Sequence, residues 1–373
     1  EKCSFIYTDN GIIPLTSSVK RQIQNKVDEM SENALRVLAF AEKTSYQNGE
    51  PSGMVFLGLT GMIDPLREEA KIAVRKCAKA HIRTVMITGD HKNTAAAIAR
   101  QAGILKGKKV MTGQELNRLS DDELLECIDD ISVFARVEPC HKLRLVKAYK
   151  KKGHIVTMTG DGVNDAPAIK EADVGVAMGI TGTDVTKQSA DIILLDDNFA
   201  TLVQAVEQGR GIYANIRKFV RYLLSCNIGE VITMFAGILM GLPLVMLPVQ
   251  LLLVNLITDG LPAIALGMEP TDSRVMNRPP RKSDESFFSD GLMFRIVFRG
   301  IMIGLCTLGC FTAIIGTGAD IAVSRTCALL TLVMSQLIHV FECKSEKGNI
   351  FTVPYFNNKK LLLAVLFSAV IIV

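Results

Sequence analysis

The sequence predicts two folds in series: an α/β unit built on a parallel sheet, then a bundle of transmembrane helices. Three observations carry this. Charged residues are dense up to Arg221 and then vanish from long runs: 231–258 and 300–319 have none, 326–341 hold only His339, and 361–373 have none. A helix needs about 20 largely apolar residues to cross a bilayer, so the C-terminal half reads as membrane. Strand and helix patterns alternate through residues 54–195, as expected of parallel strands covered by helices. Finally, the string Met158-Thr-Gly-Asp-Gly-Val-Asn-Asp-Ala-Pro167 gathers two acids and an amide between a strand and a helix. Open α/β sheets place their ligands there.

Composition narrows the function. A chain of 373 residues has room for about two or three domains. The formal charge of +4 is too small to argue for nucleic acid as a partner. The nine cysteines include no C-x-x-C pair and no His-rich cluster, so neither a zinc site nor a disulfide framework is expected. No signal peptide is visible, Glu1 is not a natural start, and the last apolar run stops short of a full span. The expectation is a piece of a longer protein, cut at both ends.

In chain order, 17–31 is expected to be helical and Arg36 to Ala41 a buried strand. Met54 to Leu59 is a strand, followed by Gly61-Met-Ile-Asp-Pro-Leu-Arg67 and a helix from Pro65 to Ala80. Thr84 to Ile87 is a strand ending in Thr88-Gly89-Asp90, and the helix Asn93 to Gln101 is closed by Gly103. Ile131 to Ala135 is a strand. Pro139 suits the first turn of the helix that runs to Lys151, with Gly153 after its end. Strand 154–159 carries the acidic string into a helix from Ala166 to Ala172, and short strands are expected near 173–177 and 191–195. From Thr201 to Arg221 the pattern is an amphipathic helix with a basic end, continuing into the apolar segment 222–241. Four complete spans are expected, at 222–241, 248–268, 296–316 and 322–342, with a truncated fifth. The basic residues of 269–294 and 343–360, against one (Arg325) in the turns 241–248 and 316–325, place the α/β unit and the longer loops in the cytosol.

Three places in the α/β unit carry chemistry. Gly160 and Gly162 let the chain turn sharply, so Asp161, Asn164 and Asp165 gather at a strand's carboxyl end. Carboxylates there can hold Mg²⁺ together with phosphate oxygens; equally, Asp165 could be a helix N-cap and the others turn formers. At a second strand end, the Thr88 hydroxyl and Gly89 N–H can donate to phosphoryl oxygens. The third place is Phe134-Ala-Arg-Val-Glu-Pro-Cys-His-Lys142, where Lys142 lies early in a helix. A cation is unfavourable to the helix dipole there, which points to an anion nearby or to an ordinary exposed lysine.

The string 158–167 resembles the hinge motif of the P-type cation-transporting ATPases, and the resemblance covers nearly the whole chain. It implies a haloacid-dehalogenase-like (Rossmann-like) phosphorylation domain, in which Thr88, Lys142, Asp161 and Asp165 surround an aspartyl phosphate. It further implies that Asp161 and Asp165 hold Mg²⁺, and that Arg36, Thr88, Gly89, Asp90, Arg136, Lys142 and Asn164 face the nucleotide. Asp64 matches the hinge aspartate. The domains implied are a remnant of the nucleotide-binding domain (1–45), the phosphorylation domain (46–200), a stalk helix (201–221) and the membrane helices (222–373). The family's phosphorylated aspartate sits in an Asp-Lys-Thr-Gly-Thr string, and no such string occurs here. It is expected upstream, so this piece alone should have no pump activity.

Polar residues inside apolar spans need a reason, because an ionised carboxylate at mid-bilayer costs at least ~2.5–3.5 kcal/mol. Asn227 and Glu230 share one helix face, and Asn255 and Asp259 another. If the faces meet, two carboxylates and two amides form a hard oxygen site suited to Ca²⁺. Gly260 and Pro262 are expected to interrupt the second helix beside Asp259. Interhelical hydrogen bonding or snorkelling is the alternative, and it suits Asn227 and Glu230 better than the deeper Asp259. Pro248-Val-Gln-Leu-Leu-Leu-Val-Asn-Leu-Ile-Thr-Asp-Gly-Leu-Pro262 resembles the sixth membrane helix of the sarcoplasmic reticulum and secretory-pathway calcium pumps. That likeness implies Asn227, Glu230, Asn255, Thr258, Asp259 and Gln336 as Ca²⁺ ligands. Two-site calcium pumps carry a glutamate where Gln336 aligns, so the number of ions stays open.

The expected function is ATP-driven Ca²⁺ transport through an aspartyl phosphate, with ATP, Mg²⁺ and the lipid bilayer as partners. The upstream part of the chain is needed to complete the sites. A pump for Mn²⁺, Na⁺ or H⁺, or a membrane-anchored phosphatase, are the alternatives. Short loops favour a bacterial plasma membrane over a eukaryotic organelle.

Overall fold

The structure is a computed structural model that describes residues 3–9, 11–33, 35–43, 53–62, 65–282, 284–345 and 355–372. The chain divides into two compact units, Glu1–Gln204 with Met276–Ser283, and Ala205–Val275 with Asp284–Val373.

The first unit opens with strands β1 (Cys3–Thr8) and β2 (Gly11–Pro14), helix α1 (Ser17–Glu32), and strands β3 (Arg36–Glu42) and β4 (Met54–Met62). Thr16 caps α1 by accepting from the Val19 N–H. These strands form a mixed sheet in the order β2-β1-β4-β3. Only β1 and β4 run parallel; β2 and β3 pair antiparallel with their neighbours. The expectation of one parallel sheet therefore fails at this end of the unit. The two-residue connection from Thr8 to Gly11 is too short for anything but an antiparallel turn.

Purely parallel sheets begin after helix α2 (Glu68–Lys79). Strand β5 (Met86–Ile87), helix α3 (Lys92–Ala102), strand β6 (Lys109–Thr112), helices α4 (Gly113–Asn117) and α5 (Asp121–Cys127), and strand β7 (Ile131–Ala135) follow. They build the sheet β5-β7-β6. Helix α4 starts in a capping box of Thr112 with Glu115, and α5 in one of Ser120 with Glu123. Every residue of β7 is buried, as a strand covered on both faces must be. Helix α6 (Pro139–Lys151), strand β8 (Thr157–Gly160), helix α7 (Ala166–Glu171), strand β9 (Val174–Met178), helix α8 (Asp184–Ser189) and strand β10 (Ile192–Leu194) complete the unit, giving a second parallel sheet, β10-β9-β8. Strand β8 starts three residues later than expected. Val156 spends its N–H on the Asp173 carboxylate and its carbonyl on the Asp173 and Val174 amides. Ile87 and Val156 pack against the core of Val146, Met158, Ala168 and Ile169, so the ends of β5 and β8 share one apolar floor.

Helix α9 (Phe199–Leu239) runs 41 residues without a break. In the second unit it is followed by α10 (Pro248–Leu253), a π-helical turn over Val254–Asp259, α11 (Gly260–Gly267), α12 (Leu292–Gly316), α13 (Ile321–Cys343) and α14 (Lys359–Ile372). Among the described residues, four helices are long and apolar enough to cross a membrane: Phe199–Leu239, Pro248–Gly267, Leu292–Gly316 and Ile321–Cys343. Helices α9 and α12 approach closely through glycine: a Cβ on Gly300 would lie 2.4 Å from Ile228 Cγ2 and 3.0 Å from the Ser225 carbonyl. Small residues at such crossings let backbones meet in lipid. At one end of the bundle, buried Lys344 pairs with buried Glu269 at 3.4 Å. Asn358 donates to the same carboxylate at 2.7 Å, so the ends of α11, α13 and α14 are tied together.

The expected interruption at Gly260 and Pro262 is instead the π-helical turn. Pro262 has no amide to give the carbonyl one turn back, and widening the turn absorbs that loss without leaving the helix. Turns of this kind occur frequently at functional sites.

Candidate functional site

The first cluster lies at the strand ends of the α/β unit. Lys142, in the first turn of α6, donates to Asp165 Oδ1 at 2.5 Å, and the Gly162 N–H donates to Asp165 Oδ2 at 3.3 Å. Asp165 is buried and Asp161 and Asn164 are exposed. The anion expected beside Lys142 is thus Asp165. Gly160 is required at the turn, since a Cβ there would lie 2.6 Å from Asp165 Cβ. The end of β5 is stitched to the end of β7: Thr88 N–H donates to the Phe134 carbonyl at 2.9 Å and Arg136 N–H to the Asp90 carbonyl at 3.0 Å. The Thr88 hydroxyl donates to Asp90 Oδ2 at 2.9 Å, and Gly89 and Asp90 are exposed. Arg136 is exposed and its φ is +50°, a left-handed conformation that costs an arginine roughly 1–2 kcal/mol and clusters at functional positions. Arg36 lies at the start of β3, its backbone opposite Met62; its side chain, and Asp64 altogether, lie outside the described residues.

Three supports escaped the sequence reading. Thr183 N–H donates to the Asp161 carbonyl at 2.9 Å, and the Thr186 hydroxyl to the Gly162 carbonyl at 2.9 Å. Asp197 accepts from Ile180 N–H at 2.9 Å and from Thr181 N–H and hydroxyl at 2.8 Å. These bonds, led by the Ile180 amide, outweigh desolvation and hold the Asp197 carboxyl down to about 2. The signal was the turn-rich string Gly179-Ile-Thr-Gly-Thr-Asp184.

The second cluster lies inside the helices of the second unit. Gln336 Nε2 on α13 donates to Glu230 Oε1 on α9 at 3.1 Å and to Asp259 Oδ2 in the π-helical turn at 3.2 Å. Asn255 Nδ2 donates to Glu230 Oε2 at 2.8 Å, and the Tyr222 hydroxyl to Asp259 Oδ1 at 3.0 Å. Glu230, Asp259, Gln336 and Tyr222 are all buried, Asp259 at 1% exposure. Thr258 is buried with its hydroxyl turned back to the Val254 carbonyl at 2.8 Å. Asn227 is exposed, and the hydrogen bonds that link Glu230, Asn255, Asp259 and Gln336 do not include it. Apolar layers flank the cluster: Val254, Leu332, Val333 and Leu337 belong to one core and Tyr222, Cys226, Ala263 and Val340 to another. Tyr222 was the residue missed. Its spacing with Cys226 and Glu230, four apart each time, puts all three on one helix face.

Two carboxylates meeting among apolar layers would repel each other, and neutral hydrogen bonds alone offset little of that. Such an arrangement suits a cation held by hard oxygen atoms. A set of helices apolar enough to cross a membrane thus carries this cluster and follows, in sequence, an α/β unit with acids at its strand ends.

Comparison with known proteins gives the family. The family described as "Cation transporting ATPase, C-terminus" matches residues 243–373, and "P-type ATPase, cytoplasmic domain N" matches residues 1–69. A calcium-transporting ATPase of Bacillus subtilis is 47% identical over 99% of this chain and 42% of its own length. The endoplasmic reticulum calcium ATPase srcA of Aspergillus fumigatus is 39% identical over 99% of this chain and 43% of its own. An endoplasmic reticulum-type calcium-transporting ATPase of Arabidopsis thaliana is 40% identical over 95% and 37%. The chain belongs to the P-type cation-transporting ATPases and is a multi-pass membrane protein. It spans less than half the length of these curated relatives.

Proposed function

We propose that this chain is the phosphate-handling and membrane portion of an ATP-driven Ca²⁺ pump. The observation that carries the reading is the convergence of buried Glu230, Asp259 and Gln336 between apolar layers, with the exposed Asn255 bonded to Glu230 at their edge. Their oxygens, joined by those of Thr258 and of Asn227 after a local rearrangement, suit Ca²⁺ as cargo. The names of the relatives from bacteria, a fungus and a plant agree on calcium. Such ligands favour Ca²⁺ over softer ions, and a passive anchor has no use for a buried Asp259.

The α/β unit is proposed to act as a haloacid-dehalogenase-like phosphorylation domain on an aspartate supplied by the intact protein outside this chain. Thr88 and Gly89 donate to the transferring phosphoryl group, and Lys142, aimed by Asp165, offsets its charge. Asp90, Arg136, Asn164 and Arg36 are assigned to the nucleotide. Asp161 offers an exposed hard oxygen donor suited to Mg²⁺; Asp165 spends both oxygens on Lys142 and Gly162, so its main part is to position Lys142. Mg²⁺, when bound, neutralises developing phosphoryl charge. Helix α9 carries Glu230 and begins at Phe199, next to β10 of the phosphate-handling unit, so one unbroken helix joins the two chemistries in sequence. The short connections 240–247 and 317–320 support a bacterial plasma membrane, with the phosphate-handling unit in the cytosol.

The test is phosphoenzyme formation from ATP by the intact protein. Micromolar Ca²⁺ is expected to switch it on. Activation by Mn²⁺, Na⁺ or H⁺ but not by Ca²⁺ would replace the calcium assignment.

A further inference from the structure

We infer that the start of α6 is a binding site for a divalent cation of the zinc class, held by Glu138, Cys140 and His141, and that the ion slows phosphoryl transfer by restraining the turn that carries Lys142. The three ligands lie outside the residues assigned to phosphate, nucleotide or Ca²⁺. Only the effect on phosphorylation rests on the pump reading.

Among the described residues these three form the one group of His, Cys, Asp and Glu side chains whose ligand atoms all lie within 4.8 Å of one another. Glu138 and Cys140 are exposed and His141 is buried, so the group is open to solvent on one side and anchored on the other. Cys140 Sγ and Glu138 Oε2 are 3.9 Å apart. Zinc bonds of about 2.3 Å to sulfur and about 2.1 Å to oxygen, at a tetrahedral angle, set two such atoms roughly 3.6 Å apart. The His141 ring is already presented as a ligand. Its Nδ1 accepts from the Glu138 backbone N–H at 2.9 Å, and a backbone N–H can only donate, so the neutral ring carries its proton on Nε2. That edge of the ring meets Asn117 Oδ1 at 2.7 Å, the kind of outer contact that fixes tautomer and orientation in metal-bound histidines. The Nδ1 lone pair is left on the side of Glu138 and Cys140, where the ion takes the place of one backbone N–H. Gly113 borders this edge without a side chain; a Cβ there would lie 3.2 Å from both Nδ1 and Cε1.

The donor set selects the ion. One sulfur, one imidazole nitrogen and one carboxylate suit Zn²⁺, whereas Mg²⁺ and Ca²⁺ take oxygen. Binding releases the thiol proton, and the resulting thiolate and the carboxylate together cancel the charge of the ion. This matters at a helix N-terminus, which opposes an uncompensated cation. Three protein ligands leave a fourth position for water, unlike the closed shell of a structural zinc. No C-x-x-C pair takes part, so the spacing of the cysteines did not announce the site. Lys142 follows His141 directly and donates to Asp165. An ion that ties residues 138, 140 and 141 together fixes the turn from which Lys142 reaches a phosphoryl group.

Co²⁺ is the optical probe in the intact protein, because a thiolate on Co²⁺ gives a charge-transfer band that oxygen ligands do not. Wild type is expected to show this band, and Zn²⁺ to displace it. Micromolar Zn²⁺ should slow phosphorylation from ATP at saturating Ca²⁺ at least about tenfold, since a small misplacement of a catalytic group can cost ~10²-fold. Cys140→Ser is expected to keep phosphorylation without Zn²⁺ within about twofold, to lose the band, and to need at least about tenfold more Zn²⁺ for inhibition. Asn117→Ala, which loosens the ring without removing a ligand, should weaken Zn²⁺ about 10–100-fold and keep the band at high Co²⁺. Band and inhibition unchanged in Cys140→Ser overturn the inference, as does Zn²⁺ bound through Cys140 with no slowing of phosphorylation. Metal-free wild type that forms no phosphoenzyme with Ca²⁺ sinks the calcium reading, while a band that depends on Cys140 still supports the zinc-class site.

Discussion

At the edge of the α/β unit Asp165 is neutralised by Lys142 at 2.5 Å, whereas among the membrane helices Glu230 and Asp259 accept hydrogen bonds from the neutral groups of Asn255, Gln336 and Tyr222. Both places bury acid, but they leave different debts of charge. A lysine is a permanent counter-ion, so Asp165 is paired as it stands, and Lys142 is held at the strand ends where a phosphate is proposed to bind. In the second cluster the hydrogen-bond donors to Glu230 and Asp259 from Asn255, Gln336 and Tyr222 are neutral. An exchangeable cation is proposed to supply the missing positive charge. Exposure divides the two in the same way: Asp161 and Asn164 open to solvent at a strand end, while Asp259 is closed off between apolar layers.

The comparison can be broken at either side. The largest effect is expected for Lys142→Met, which removes the fixed cation from the phosphate site and leaves Asp165 buried without its partner. The rate of phosphorylation from ATP should fall about 10²–10³-fold, while Ca²⁺ binding at equilibrium stays within about twofold. Equal loss of both would mean that the two clusters are not separate in function. A smaller effect is expected for Lys344→Met, which strips the counter-charge from Glu269 at 3.4 Å. Breaking a buried pair costs about 3–5 kcal/mol, read as a lower melting temperature. Unchanged melting would show that this pair does not tie the helix ends. The smallest effect concerns the loop that buttresses Asp161. Asp197 has a carboxyl held down to about 2 from 3.8, so its support is complete above the unfolded value and is lost as pH falls from there through about 2. Hydrogen exchange at the Ile180 and Thr181 amides, corrected for intrinsic rate, should quicken below pH ~4 in the wild type. In Asp197→Ala it should be fast at every pH. A flat wild-type profile would contradict the role.

The sequence made the two-part plan legible because charge density and periodicity are properties of whole stretches. Helix α9, strand β7 and the ends of α6 all fall where hydrophobic pattern and Pro139 place them. What escaped was set by single contacts. Strands β1 and β2 are short and largely exposed, so no apolar run announced them or their antiparallel turn. Strand β8 was placed too early because Asp173, seventeen residues on, captures Val156. The residues of the ion cluster were legible as polar groups in apolar spans, and Glu230, Asn255, Asp259 and Gln336 of the expected set are linked by hydrogen bonds, whereas Asn227 is not among them. Glu230 and Asn227, three apart, looked like one face, yet the first is buried and the second exposed. Tyr222 and the π-helical turn became visible only once Asp259 had a position in space.

The central claim is that the buried acids of the second unit bind the transported ion. Equilibrium binding of radioactive Ca²⁺ to the intact protein in detergent tests it most directly, comparing wild type with Asp259→Ala. Saturable binding to the wild type is predicted, weakened at least about 100-fold in the variant, with phosphorylation by inorganic phosphate retained. Equal Ca²⁺ binding by the two proteins would contradict it.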